Sequence, residues 1–284
     1  MLPFRKILFP VDYSDPCRAV APYVAAMTQH FGAALTLVHA YPSVLFGYGD
    51  LAVDPLLPEQ IRAGEKKRLK GFAAEMFPGR QVDLLMESGE VGSVIHKIVQ
   101  HHGTDLVVMG THGYGPVRRL LVGSVTAKVL HDVSAAVWTA AGSCTGHPTA
   151  THYKAILCAL DESEEAEAVL TAAATMATSY GARLSIVHVL DMPRSSVNFD
   201  FSPGEKEIRD DADFRLREIK GRLGIDAPHA VLDGTIQEGI QQEAIRRNAD
   251  LIVTGRGLEQ GTFSSLWSRL YPIIRESPCP VLSV

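Results

Sequence analysis

The feature that most constrains this chain is an internal repeat. Residues 5–12 read Arg-Lys-Ile-Leu-Phe-Pro-Val-Asp, and residues 153–161 read Tyr-Lys-Ala-Ile-Leu-Cys-Ala-Leu-Asp. Residues 32–39 and 181–188 match in the same way, as Gly-Ala-Ala-Leu-Thr-Leu-Val-His and Gly-Ala-Arg-Leu-Ser-Ile-Val-His. Since 284 residues is near twice the usual size of a domain, the repeat predicts two copies of one domain.

Within each half, short apolar runs alternate with longer segments of helical period. This pattern predicts an α/β fold in which a parallel sheet is flanked by helices. Ser14 or Asp15 is expected to cap the first helix, with Pro16 at its start, and Ser163 to cap the equivalent helix. We place the first domain at residues 1–142, a linker rich in Gly, Ser, Thr and Pro at 143–152, and the second domain at 153–284.

Composition narrows the classes of function. A net charge of -5 provides no basic field for a phosphate backbone, so we expect no nucleic-acid partner. Arg5 and Lys6 precede too few apolar residues for a signal peptide or a membrane span, so we expect a cytoplasmic protein without a membrane partner. The cysteines form no CxxC pair and are expected to be reduced structural thiols: Cys17, Cys144, Cys158 and Cys279.

A glycine-rich loop follows the fourth strand of the first half. It begins Gly110-Thr-His-Gly113, and Gly123-Ser124 then opens a helix. Glycine lets a backbone approach an anion closely, and the free amides and dipole of a helix start favour a phosphate. The loop therefore predicts a phosphate site where parallel sheets bind ligands. The alternative is a loop whose glycines only turn the chain.

Polar side chains near this loop each have two interpretations. Asp12, at the end of the first strand, either accepts hydrogen bonds from a ribose or base or caps the following helix. Arg118 and Arg119 either meet a triphosphate or are solvated. His112 either contacts phosphate or has no role in the site, and without an orienting acid it is weak evidence for catalysis.

Other histidines favour structural interpretations. His39 and His188 occupy identical places within apolar strands, which is typical of core histidines. The pair at residues 101–102 has no metal-ligand spacing and is expected at a solvated helix end. Residues 41–58 carry three prolines and two glycines and predict a long excursion, either a lid or a loop.

These motifs resemble the universal stress protein family in its tandem form. The resemblance rests on Pro-Val-Asp, Leu-Val-His, Met-Gly-Thr-His-Gly, Gly-Ser-Val-Thr and the closing apolar strands, and it covers nearly the whole chain. It implies a Rossmann-like, adenine nucleotide alpha hydrolase-like fold of two open five-stranded sheets in the order 3-2-1-4-5. The positions that match the family's nucleotide contacts are Pro10, Val11 and Asp12 near ribose and adenine, Ala40 beside adenine, and Met109, Gly110, Gly113, Gly123, Ser124, Val125 and Thr126 around the ribose and phosphates.

The second half departs from this pattern. Leu258, Ser268 and Arg269 stand where the first half has Gly113, Gly123 and Ser124. Substitution of the glycine at 123 is expected to remove easy left-handed geometry. Either the second half binds something different, or it is a structural partner of the first.

The sequence thus favours a stress or signalling protein in which an adenosine nucleotide (ATP, ADP or AMP, with Mg²⁺ as an accompanying ion) biases conformation or partner binding. A slow ATPase and a nucleotide-free assembly scaffold are the alternatives, since no Gly-x4-Gly-Lys-Ser/Thr loop or nucleophile elbow is present. The closing strands at 136–139 and 280–283 are expected at sheet edges and to pair the two domains with pseudo-twofold symmetry. A homodimer is a further alternative.

Overall fold

The computed structural model describes residues 4–41, 57–111, 122–140, 152–192, 203–257 and 270–284. These residues divide into two compact units, one formed mostly by residues 4–138 and the other mostly by residues 139–284. The finer bounds expected from the sequence, with a linker at 143–152, stay a prediction. None of the helices in the described ranges is long and apolar enough to cross a membrane.

The first half alternates strands and helices as the repeat predicts. Its elements are β1 (Lys6–Pro10), α1 (Asp15–Phe31), β2 (Ala34–Tyr41), α2 (Leu57–Met76), β3 (Asp83–Ser88), α3 (Val91–His102), β4 (Leu106–Gly110), α4 (Ser124–Asp132) and β5 (Ala136–Ala140). The strand order is β3-β2-β1-β4-β5. Of the predicted excursion, Tyr41 belongs to β2 and α2 begins at Leu57, and residues 42–56 lie outside the described residues.

The second half repeats this arrangement. Its elements are β6 (Ala155–Ala159), α5 (Ala166–Tyr180), β7 (Arg183–Asp191), α6 (Pro203–Leu223), β8 (His229–Gly234), α7 (Ile236–Arg247), β9 (Leu251–Thr254), α8 (Tyr271–Glu276) and β10 (Val281–Ser283). Its order, β8-β7-β6-β9-β10, is again 3-2-1-4-5. The expected fold class is therefore confirmed in both halves.

The central strand of each sheet is buried from both sides. Ile7, Leu8 and Phe9 in β1 are at most 1% exposed. Such a continuous apolar run is typical of a parallel strand covered by helices on both faces. In the first half, α1 packs against α2 and α3 packs against α4, so each pair of helices covers one face.

The predicted capping residue of the first helix is correct in the first half and wrong in the second half. Ser14 caps α1, since its hydroxyl accepts a hydrogen bond from the amide of Cys17 at 3.3 Å. The expectation that Ser163 caps α5 is wrong. That helix begins at Ala166 after Glu165 and has no side-chain cap. Ser163 lies outside the capping position, because α5 starts further along the chain than α1, which starts directly after Ser14.

A repeated aspartate ties the sheet together at its amino edge. Asp105 accepts hydrogen bonds from the backbone amides of residues 5 and 6 at 2.8 and 2.9 Å. Asp250 does the same for the amides of residues 154 and 155. Both aspartates precede their strands, so they act at the edge opposite to the carboxyl ends where a ligand is expected.

Candidate functional site

The candidate site lies at the carboxyl ends of β1 and β4. These strands are neighbours, with Leu8 opposite Val107, and continuing that register brings Pro10 beside Met109. The chain leaves β1 for a helix on one face of the sheet and leaves β4 for a helix on the other. A crevice forms at such a reversal of strand order, and this is where open parallel sheets bind ligands.

Asp12 is held in a tight turn between β1 and α1. Its Oδ1 atom accepts hydrogen bonds from the Ser14 amide at 3.0 Å and the Ser14 hydroxyl at 2.7 Å. The carboxylate therefore organises the start of α1, as one of its two interpretations expected, although Ser14 is the cap residue. The half-buried side chain is fixed at the crevice by this turn.

His39 links β2 to the end of β1. Its Nδ1 atom donates to the carbonyl oxygen of Val11 at 2.7 Å, and His188 makes the same contact with Leu160 at 2.9 Å. Both histidines thus have the structural role expected from the repeat, with His188 buried and His39 half-buried. Ala40 follows His39, is half-buried, and lies opposite Glu87 of β3.

The start of α4 is anchored to the end of β4. The amide of Gly123 donates to the carbonyl of Thr111 at 2.9 Å, and the Thr126 hydroxyl donates to the carbonyl of Gly110 at 3.2 Å. Thr126 is buried, Val125 is half-buried and Ser124 is exposed. Among the described residues, no side chain caps this helix, in contrast with the Ser14 cap of α1.

One expectation about Gly123 is wrong. Its φ of -58° and ψ of 146° are accessible to any residue, so glycine is not needed there for left-handed geometry. Four further candidates, His112, Gly113, Arg118 and Arg119, lie outside the described residues.

Sequence reasoning missed a cluster formed by Tyr13, His39, Glu65 and Arg68 beside Asp12. The Tyr13 ring lies 4.7 Å from the His39 ring and 4.1 Å from the Arg68 guanidinium carbon. Glu65 Oε2 lies 3.3 Å from His39 Nε2. Tyr13 has a φ of 64°, which is uncommon for a bulky residue, and its burial raises the pKa of its hydroxyl. No local sequence pattern marks Glu65 and Arg68 of α2, because only the packing of α2 on the sheet brings them to Tyr13 and His39.

The second half has a cleft at the matching place. Its lining includes Asp161 at the end of β6, and Gly255, Arg256 and Gly257 at the end of β9. Asp161 Oδ1 accepts from the Ser163 amide at 3.1 Å, which reproduces the turn of Asp12. The three substitutions that distinguish the second glycine-rich loop, Leu258, Ser268 and Arg269, lie outside the described residues.

The cysteines and the acidic and histidine side chains were the other candidates for chemistry. Cys17, Cys158 and Cys279 are buried thiols, and burial raises the pKa of the Cys17 thiol to about 12. Cys144 lies outside the described residues. In those residues no group of three or more His, Cys, Asp or Glu side chains is placed to hold a metal ion.

The two halves match one protein family. Residues 3–140 and 152–284 each match the model of the universal stress protein family. Because the two matches span most of the sequence, the chain belongs to this family and carries its domain twice. The resemblance found in the motifs is therefore confirmed.

Individual relatives agree with this assignment. A universal stress protein of Thermus aquaticus is 33% identical over 129 residues, which are 45% of this chain and 93% of that protein. Universal stress protein A homolog 1 of Coxiella burnetii is 31% identical over 139 residues, which are 47% of this chain and 96% of that protein. Each relative is therefore matched by about half of this chain.

Solved structures share the two-domain fold. The crystal structure of a universal stress protein from Archaeoglobus fulgidus has a TM-score of 0.70 and 22% identity, covering 98% of this chain and 97% of that one. A structure described as a putative universal stress protein from Pseudomonas aeruginosa has a TM-score of 0.62 and 14% identity, covering 99% and 93%. At these identities the likeness concerns the fold.

Proposed function

We propose that the first half binds one adenosine nucleotide and that the protein acts in stress response or signalling through this binding. The observation that carries the proposal is the start of α4, where Gly123 and Thr126 are tied to the end of β4. No described side chain caps the helix. A helix start of this kind presents backbone amides and a partial positive charge to a phosphate.

The rest of the crevice suits the nucleoside. Asp12 supplies a carboxylate acceptor for a ribose hydroxyl or a base amine, and its turn holds it in place. Val11 and Met109 place buried apolar side chains at the ends of β1 and β4, beside the positions proposed for the adenine and the ribose. His112, Gly113, Arg118 and Arg119 are assigned to the phosphates from the sequence alone.

The nucleotide is proposed to act as a ligand that shifts a conformational equilibrium or a partner surface. A ligand of this kind needs a difference in affinity between two states, with no chemical turnover. A slow ATPase is the second candidate, and Mg²⁺ would accompany ATP in either case.

Calorimetric titration of the intact protein with ATP, ADP, AMP and cyclic AMP tests the proposal. We expect one phosphorylated nucleotide per chain, and micromolar affinity would correspond to about -8 kcal/mol. Two equal ATP sites, or none, would contradict it. Phosphate release measured with and without Mg²⁺ distinguishes the ATPase, and mass spectrometry of gently purified protein distinguishes a nucleotide-free scaffold.

A further inference from the structure

The second half has a cleft at the ends of β6 and β9, where the strand order reverses. Val169, Ile236, Ile240 and Ile273 give it aliphatic walls. Asp161 lies at its edge, at the position that Asp12 occupies in the first half.

A carboxylate of the protein itself lies at the phosphate side of this cleft. Glu165 Oε2 accepts a hydrogen bond from the Gly257 amide at 3.3 Å. The same oxygen lies 3.4 Å from the place where a β-carbon on Gly255 would be. The Glu165 carboxylate therefore lies against the backbone at the end of β9, where an anionic group of a ligand would otherwise bind.

Arg256 completes this arrangement, which we call the Glu165 plug (Glu165, Arg256 and the Gly257 amide). The Arg256 side chain lines the cleft and is 5% exposed. Its burial lowers the pKa of the guanidinium to about 10, and the negative charge of Glu165 opposes that shift. Arg256 is thus a cation at neutral pH, and the anion near it is the Glu165 carboxylate.

The first half has neither side chain of the plug. When Asp12 is aligned with Asp161, Pro16 stands in the place of Glu165. When Gly110 is aligned with Gly255, Thr111 stands in the place of Arg256. The second half therefore has a carboxylate and a guanidinium on the same side of its cleft, where the first half has proline and threonine. The two differences occur on separate segments, 91 positions apart in the numbering (256 minus 165), and the fold brings them together.

The nucleoside side of the second cleft retains the features of the first. Asp161 forms the same turn with Ser163 as Asp12 forms with Ser14. His188 supports the carbonyl of Leu160 as His39 supports that of Val11. Acceptors for hydroxyl or amine donors are thus present in both halves, whereas the phosphate side differs.

We propose that the second cleft is a separate site for an uncharged nucleoside, which hydrogen-bonds to Asp161, and that the Glu165 plug excludes phosphorylated forms. The choice of a nucleoside rests on the nucleotide function proposed for the first half. A phosphate at the end of β9 would meet the Glu165 carboxylate, and like charges in close contact are strongly unfavourable. The aliphatic walls take a flat ring without any charged group.

Calorimetry on the full chain with adenosine, AMP and ATP tests this site. The wild-type chain should bind two adenosine molecules and one ATP. Asp161→Ala, and Asp161→Asn as a milder second variant, should remove one adenosine and leave ATP binding unchanged. A wild-type stoichiometry of one adenosine, or two adenosines in the Asp161 variants, would overturn the proposal.

The plug is tested by Glu165→Gln, which keeps an oxygen for the Gly257 amide but removes the charge. AMP affinity at the second cleft should rise by about tenfold or more, while adenosine affinity is unchanged. Glu164→Gln, on the exposed neighbouring residue, is the matched control and should change neither. Equal AMP binding in Glu165→Gln and wild type would show that the plug does not select against phosphate.

A third variant separates failure of this site from failure of the proposed function. The double variant Asp12→Ala/Gly123→Val removes both the nucleoside contact and the phosphate contact proposed for the first half, so the remaining adenosine binding reports on the second cleft. One adenosine and no ATP in this variant supports the second site. Absence of ATP binding in the wild type, with adenosine still bound in the double variant, would contradict the proposed function and leave the second site supported.

Discussion

The Nδ1 nitrogen of His39 lies 2.7 Å from the carbonyl oxygen of Val11. This bond joins the second strand of the sheet to the residue that immediately precedes Asp12. It satisfies a carbonyl at the point where β1 has ended and the regular ladder no longer supplies a partner. The geometry of the crevice therefore depends on a side chain that is not expected to touch the ligand.

We expect His39→Leu to lower the free energy of unfolding by about 1–3 kcal/mol, the usual cost of leaving a buried polar group unsatisfied. Urea denaturation measures the change. His101→Leu, at an exposed position of α3, is the control and should have an effect within about 0.5 kcal/mol. Equal stability of His39→Leu and the control would mean that Val11 has another partner.

Asp12→Ala should weaken binding of ATP by roughly 1–3 kcal/mol, because a charge-assisted hydrogen bond is lost. Adenosine bound in the first half should be weakened to the same degree, since Asp12 is assigned to the nucleoside. Asp15→Ala, on the exposed neighbouring residue, is the control. An effect confined to ATP would instead place Asp12 near the phosphates or a metal ion.

Gly123→Val should abolish nucleotide binding and leave the fold intact. The backbone of Gly123 suits valine, so the branched side chain acts by blocking the approach to the first turn of α4. Calorimetry measures binding, and circular dichroism checks the fold. Gly71→Val, where the added atoms meet open space in α2, should bind normally, and undiminished binding by folded Gly123→Val would contradict the phosphate assignment.

Glu90→Ala should destabilise the protein by about 1 kcal/mol at neutral pH. Glu90 caps α3 by accepting from the amides of Gly92 and Ser93, each at 2.9 Å. Hydrogen bonding from the Ser93 hydroxyl, together with these amides, holds the pKa of Glu90 below its usual value. Gln100→Ala, exposed on the same helix, is the control.

The stabilisation by Glu90 should depend on pH in a defined direction. Because the folded pKa is lowered, the carboxylate stabilises the folded state above the unfolded pKa and loses this effect as pH falls through the folded pKa. The difference between Glu90→Ala and wild type should therefore shrink in acid. A difference that is constant from neutral pH to below the folded pKa would contradict an ionic contribution to the cap.

The pairing of the closing strands stays a prediction from the repeat. If edge strands such as β5 associate, residues 1–145 expressed alone should form a dimer, because the second domain is no longer present as an intramolecular partner. Sedimentation at several concentrations measures this. A strictly monomeric first domain at high concentration would argue that this edge is not an association surface.

Much of the fold was predictable from local sequence. Apolar runs such as 106–109 must be buried strands, and the glycine at 32 ends α1 with a φ of 61° that few other residues tolerate. The position of Gly123 and Ser124 at the start of α4 was likewise predictable, because helix starts have local signals. The capping error at Ser163 arose because α5 begins at Ala166, whereas α1 begins directly after Ser14, and the repeated Asp-x-Ser pattern does not record this difference.

The sequence by itself determined the repeat, the order of strands and helices and the family, since these depend on periodicity and on motifs within a few residues. The tertiary structure decided which distant side chains meet. Glu165 and Gly257 are 92 residues apart, and Glu65 reaches His39 from another element. Such contacts depend on strand order and helix packing, which place side chains together without any sequence spacing that records it.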